Sequence, residues 1–233
     1  MTDFQRINLV SPSAALDHGQ SEEDLARADT YGLIAELFAA PPSDVFFSRL
    51  AASPKPDPSD DAPLTQAWCA LLLVAAEQAP VASRAEYDTL FYSVGKPEVM
   101  LNGSFYVAGA QNRAPLVELR SDLAEMGIER DPSSSETEDH VASLCEVMRF
   151  LVAGDWDTAA SGRTLLEQQQ AFFQAHLGNW VFELLERIDS HPKARFYAAV
   201  AQFSRGFFEI EQQAFDIFGA TQAAAGGFPD AEG

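Results

Sequence analysis

Cysteine is nearly missing from this chain. Cys69 and Cys145 are the two in 233 residues, and neither belongs to a Cys-x-x-Cys pair. Both fall inside apolar helical patterns and read as buried, reduced thiols, so a disulfide framework or redox pair is not expected. Basic residues are scarce as well: 15 Lys and Arg stand against 35 Asp and Glu, a formal net charge of −20. Such a balance repels phosphate backbones and anionic membrane surfaces, which argues against nucleic acid and favours a basic partner. Acidity also serves solubility by itself. No apolar run reaches the ~18 residues of a membrane span. Met1–Gln20 lacks the basic start and apolar stretch of a secretory signal. These absences place the chain in the cytoplasm. Nucleophile-elbow, P-loop and His-Glu-x-x-His signatures are missing too.

What is present is helical periodicity, almost throughout. Nearly half of the residues are apolar, with Phe the dominant aromatic at 17, enough for a sizeable core. The pattern predicts an all-α bundle of about eight or more helices with no sheet. Met1–Gln20 and Gly219–Gly233 read as mobile tails around a helical domain over 21–218, with a possible hinge near 127–135. A first helix from Ser21 is apolar nearly all round at Leu33, Ile34, Leu37 and Phe38, and stops at Pro41-Pro42. Ser83 and Glu86 have capping-box spacing. One long helix is expected to carry Phe173, Leu177, Trp180, Leu184 and Ile188. The last carries Phe196, Val200, Phe203, Phe207, Ile210, Ala214 and Ile217, a heptad seam expected to be core along its length.

The most informative segment is Glu136-Thr137-Glu138-Asp139-His140, at the mouth of the helical run Val141–Ala153. With Ser135 as N-cap, Glu138 takes the capping-box position, and Glu136 and Asp139 complement the helix dipole. At 100° per residue Val141, Leu144, Cys145, Met148 and Val152 share a buried face. Asp139 then points outward, and His140 lies at the edge of that face beside Glu136. Glu136 and His140 are at i, i+4, so a metal-dependent hydrolase centred on them is one alternative. His18, His176 and His191 are too scattered to complete a site, and neither a metal nor a cofactor is expected.

The segment resembles the marker of the TorD/DmsD family of cytoplasmic molybdoenzyme chaperones, Glu-Pro-x-Asp-His opening an apolar helix, with Thr137 where the family carries proline. Tyr31–Pro42 is similar to the family's first helix and its stop. Glu86–Phe91, leading to Ser104-Phe105-Tyr106, is similar in the same way. The similarity spans roughly Asp24–Phe218. The resemblance implies an all-α, non-enzymatic chaperone that binds the twin-arginine leader of an apo-oxidoreductase and holds it until the molybdenum cofactor is inserted and export proceeds. It implies that Glu136, Asp139 and His140 contribute to leader binding, with Ser104 and Tyr106 on the irregular segment. The partner would be the catalytic subunit of a molybdenum oxidoreductase, and the chaperone a monomer or domain-swapped dimer. Paired arginines suit bidentate carboxylate contacts. On this reading Asp139→Ala or His140→Ala weakens leader binding with little loss of helicity. A helical scaffold or adaptor without leader recognition is the other alternative.

Overall fold

A computed structural model describes residues 21–57, 59–92, 96–107, 115–129, 137–154 and 163–225. Among them are ten α-helices and no strand: α1 (Glu22–Ala39), α2 (Asp44–Ala52), α3 (Pro63–Glu77), α4 (Pro80–Phe91), α5 (Gly103–Val107), α6 (Pro115–Glu125), α7 (Val141–Ala153), α8 (Leu165–Phe172), α9 (Val181–Asp189) and α10 (Phe196–Ala225). The expected all-α architecture is what forms. The N-terminal tail and residues 130–136, most of the expected hinge, lie outside the described residues.

Local chemistry sets the ends. The Ser21 hydroxyl accepts the Asp24 N–H at 3.0 Å, with three acids in the first turn of α1, and Pro41-Pro42 prevents its continuation. α7 stops at Gly154, whose φ of 73° is left-handed and favours glycine. α10 runs through Gly219 to Ala225, so residues 219–225 are helical rather than tail.

α1 and α7 pack against each other at the centre. The face Val141, Leu144, Cys145, Met148 and Val152 is buried as periodicity requires, but Ala142, Val147 and Leu151 are buried too. α7 is therefore covered on most sides. Tyr31, Ile34, Leu37 and Phe38 of α1 are fully enclosed, and each large apolar side chain so buried stabilises the fold by roughly 1.5–3 kcal/mol. α10 lies along α3 and α9, with Trp68 on Phe203 at 5.2 Å between centroids.

Three expectations fail here. The heptad seam of α10 is core only at Phe196, Val200, Phe203 and Phe207, whereas Ile210 and Ile217 are exposed. A straight helix drifts by about 20° per heptad, so the buried stripe passes instead through Tyr197, Val200, Ser204, Phe208, Glu211 and Phe215. Cys69 is exposed; of the two thiols only Cys145 is buried. The helix expected across Phe173–Ile188 is broken: a π-helical turn, Phe173–Leu177, follows α8, and a further turn at 178–180 precedes α9.

The Ser83–Glu86 capping box does not form either. α4 begins at Pro80 with Ala79 as its cap, and no side chain bonds that end. Ser83 is buried with no partner for its hydroxyl. Glu86 reaches across the fold to the start of α10, where its carboxylate accepts the N–H groups of Arg195 (2.8 Å), Phe196 (3.1 Å) and Tyr197 (2.7 Å). Gln78 donates a fourth bond at 2.9 Å. A buried carboxylate thus supplies the cap that α10 lacks in its own sequence. At the other end of α1, Tyr87 and Tyr197 donate to the unpaired carbonyls of Phe38 and Leu37, both at 3.0 Å.

A second buried polar centre joins α1, α8 and α10. Glu211 is 2% exposed; it accepts from Arg27 at 2.7 and 2.8 Å and from the Tyr31 hydroxyl at 2.9 Å. Arg27 also bonds Gln169 and Asp24, each at 3.1 Å.

Candidate functional site

The mouth of α7 is built by pairing with the segment before α5. Val141 N–H donates to Leu101 O and Gly103 N–H donates to Asp139 O, both at 2.9 Å. This isolated antiparallel bridge, Asn102 with His140, means residues 137–140 turn rather than continue the helix. The N-cap is consequently His140, not Ser135: its Nδ1 accepts the Ala142 N–H at 3.2 Å. Ser135 and Glu136 lie outside the described residues, and so does any Glu136–His140 contact. Glu138 precedes the helix instead of occupying its first turn, and it accepts two bonds of 3.0 Å from Arg120.

Asp139 does not face outward. It is 4% exposed, accepting the Ser104 N–H at 2.8 Å, the Thr137 hydroxyl at 2.5 Å and Asn102 Nδ2 at 3.4 Å. Burial alone would raise its pKa, but the bonds from Thr137, Ser104 and Asn102 outweigh that and hold the carboxyl below its ordinary value. Thr137 also accepts from Asn102 Nδ2 at 2.9 Å, so the residue that departs from the family's proline contributes a hydroxyl to this clamp. The earlier expectation for Asp139→Ala changes accordingly: it costs stability as well as any binding.

His140 is buried rather than at an edge. Burial depresses its pKa to about 4 from the ordinary 6.5, opposed by the neighbouring Asp139 charge. Between those values the unfolded chain takes up a proton that the folded chain excludes. Stability is therefore fully present above pH ~6.5 and falls as pH drops toward 4, by about 3 kcal/mol at 1.36 kcal/mol per pKa unit. Urea midpoints measured between pH 7 and 4 should follow this slope. His140→Asn, which keeps an N-capping acceptor, should flatten it, and an unchanged slope in that variant would assign the titration to other groups.

Beside the clamp opens a cleft of about 440 Å³, lined by Ser104, Tyr106, Glu118, Asp139, His176, Asn179 and Trp180 among others. Its aromatic wall is rigid. Tyr106 stacks on Trp180 at 5.3 Å and 17°, and its hydroxyl donates to Met100 O at 2.7 Å. The Arg187 guanidinium sits 5.6 Å from the Tyr106 ring centroid. Gly103 permits this closeness, since a Cβ there would lie 2.8 Å from the Trp180 indole. The π turn and the turn after it are tied together at the cleft: Trp180 Nε1 donates to His176 O at 2.7 Å and Asn179 Nδ2 to Ala175 O at 2.8 Å. His176 Nε2 is 2.6 Å from Asp122 Oδ2. Among the described residues no group of three His, Cys, Asp or Glu is arranged to hold a metal.

A family model described as nitrate reductase delta subunit matches residues 57–186, more than half of the chain and every residue lining this cleft. The chain belongs to the nitrate reductase delta subunit family. Among curated proteins it is similar to chaperone protein TorD from the El Tor Inaba and Classical Ogawa strains of Vibrio cholerae. Identity is 24% over 135 residues in both, covering 57% of this chain and 61% of each relative. The chain thus spans about 61% of the length of the curated relatives it matches.

Within this family member, the structure brings Ser104, Tyr106 and Asp139 into one cleft and leaves His140 behind it as a helix cap. Sequence reasoning missed Trp180, Gly103, Glu118 and Asn179. Trp180 carried a signal only as one more apolar position in a helical pattern, and the stack on Tyr106 depends on a turn that periodicity does not reveal.

Proposed function

We propose that the protein is a maturation chaperone for a molybdenum-cofactor oxidoreductase, one that binds the client's twin-arginine leader in this cleft and keeps the apo-subunit from export until its cofactor is in place. The reading is supported by the cleft itself, where the Glu118 carboxylate shares a hollow with the Tyr106–Trp180 stack and the buried Asp139 adds negative charge at its wall. Carboxylates beside aromatic faces suit a planar guanidinium, which takes bidentate hydrogen bonds and stacks. The net charge of −20 steers a basic segment toward the protein at low salt. Family membership and the chaperone relatives favour this over an enzymatic role. No helix of the described residues is long and apolar enough to cross a membrane, and the client would be met in the cytoplasm, before export.

Calorimetric titration with a synthetic twin-arginine leader peptide tests the proposal. Replacing both arginines by lysines, or Glu118 by lysine, should weaken binding at least tenfold, and added salt should weaken it progressively. Glu118 is exposed, and an unchanged urea midpoint for its lysine variant separates lost binding from lost fold. Affinity indifferent to all three changes would favour a helical adaptor without leader recognition.

A further inference from the structure

A second hollow, sharing no residue with the cleft, lies between α2 and α3. It measures about 470 Å³ and is walled by Phe47, Leu50, Leu72 and Leu73, with Cys69 and Lys55 also lining it. On α3, Cys69, Leu72, Leu73 and Ala76 follow i, i+3, i+4, i+7 spacing, so one helical face supplies a wall about 10 Å long. Leu73 is 60% exposed, and Cys69 is exposed beside it. The volume lies in the ~300–1,000 Å³ range of small-ligand sites. A docked helix, ~10–12 Å across with its side chains, would stand largely outside so short a groove, whereas a single alkyl chain lies within it.

The polar end of the ligand follows from charge. The chain carries 35 acidic residues against 15 basic ones, yet the cation in this groove, Lys55, has no carboxylate partner among the described residues. An ammonium at an apolar groove complements an anionic head group. We propose that the α2–α3 groove binds a single-chain amphiphile with an anionic head, a free medium-chain carboxylate, its alkyl chain lying between Phe47, Leu50, Leu72 and Leu73 and its carboxylate at Lys55. The protein's overall charge disfavours taking such a chain from an anionic bilayer. The site is independent of the leader-binding cleft.

Cys69 makes the test direct, because the other thiol, Cys145, is fully buried. Dodecanoate, kept below the concentration at which it forms micelles, should slow alkylation of Cys69 by N-ethylmaleimide at least tenfold and saturably. Dodecyltrimethylammonium, with the same chain and the opposite charge, should protect at least tenfold less well. Lys55→Glu should weaken dodecanoate protection about tenfold without moving the urea midpoint, and Leu73→Asp should abolish protection. The proposal is overturned if dodecanoate gives no protection, if the cationic amphiphile protects equally, or if only vesicles of anionic phospholipid protect. It is also overturned if the twin-arginine leader peptide shields Cys69, which would assign the groove to the client.

Discussion

Replacing Glu86 with alanine will lower the unfolding free energy by about 3–5 kcal/mol, the range found when one partner of a buried charged network is removed. Three consecutive N–H groups, those of Arg195, Phe196 and Tyr197, depend on this one carboxylate, and Gln78 is left without its acceptor too. Glu86, Phe196 and Tyr197 are all buried, so water cannot readily replace the lost oxygens. Glu86→Gln keeps one acceptor oxygen and forfeits the charge that faces the helix dipole, so its loss should be smaller, about 1–2 kcal/mol. Urea unfolding followed by far-ultraviolet circular dichroism measures both. A loss below about 1 kcal/mol in the alanine variant would show that α10 is started by something other than Glu86.

The Arg27–Glu211 pair should give an effect of similar size with a distinctive pattern. Arg27→Met leaves Glu211, 2% exposed, with the Tyr31 hydroxyl but no counter-charge, at an expected cost of about 3–5 kcal/mol. Glu211→Leu should be milder, because Arg27 keeps Asp24 and Gln169 and its side chain retains 18% exposure. The double variant should regain most of the loss and settle within about 1–3 kcal/mol of the parent, the remainder reflecting the unpartnered Tyr31 hydroxyl. A double-mutant cycle reads the coupling directly. Additive losses would contradict the network.

Much of the fold could be read from apolar spacing. α7 was legible from Val141 to Ala153 because its periodicity is strong and Gly154 ends it, and α1 because Ser21 and Pro41-Pro42 bracket it. The site was less legible, for one shared reason: its residues answer to partners far away in sequence. Helical rotation extended back from α7 points Asp139 outward, but residues 137–140 turn instead, and the turn is fixed by Leu101 and Gly103. Glu86 sits at capping-box spacing from Ser83, yet its hydrogen bonds cross to residues 109–111 positions away. Histidine is an uncommon N-cap, so the preference for serine points to Ser135 although His140 caps the helix. Ile210 and Ile217 continue the heptad of α10 faithfully, but a straight helix turns that row away from the core.

The π turn at Phe173–Leu177 carries a consequence for how this cleft can change over evolutionary time. A π turn accommodates one more residue than an α turn does, and this one ends with Gly178 N–H donating to Phe173 O at 2.7 Å. The extra residue is absorbed inside the turn, so deleting one residue there would restore α geometry and leave the segment after it facing nearly the same way. The change would fall on the rim that Ala175 and His176 supply, while Trp180 kept its side of the cleft. Chain length can therefore remodel this rim without moving the aromatic wall, which only substitution can alter.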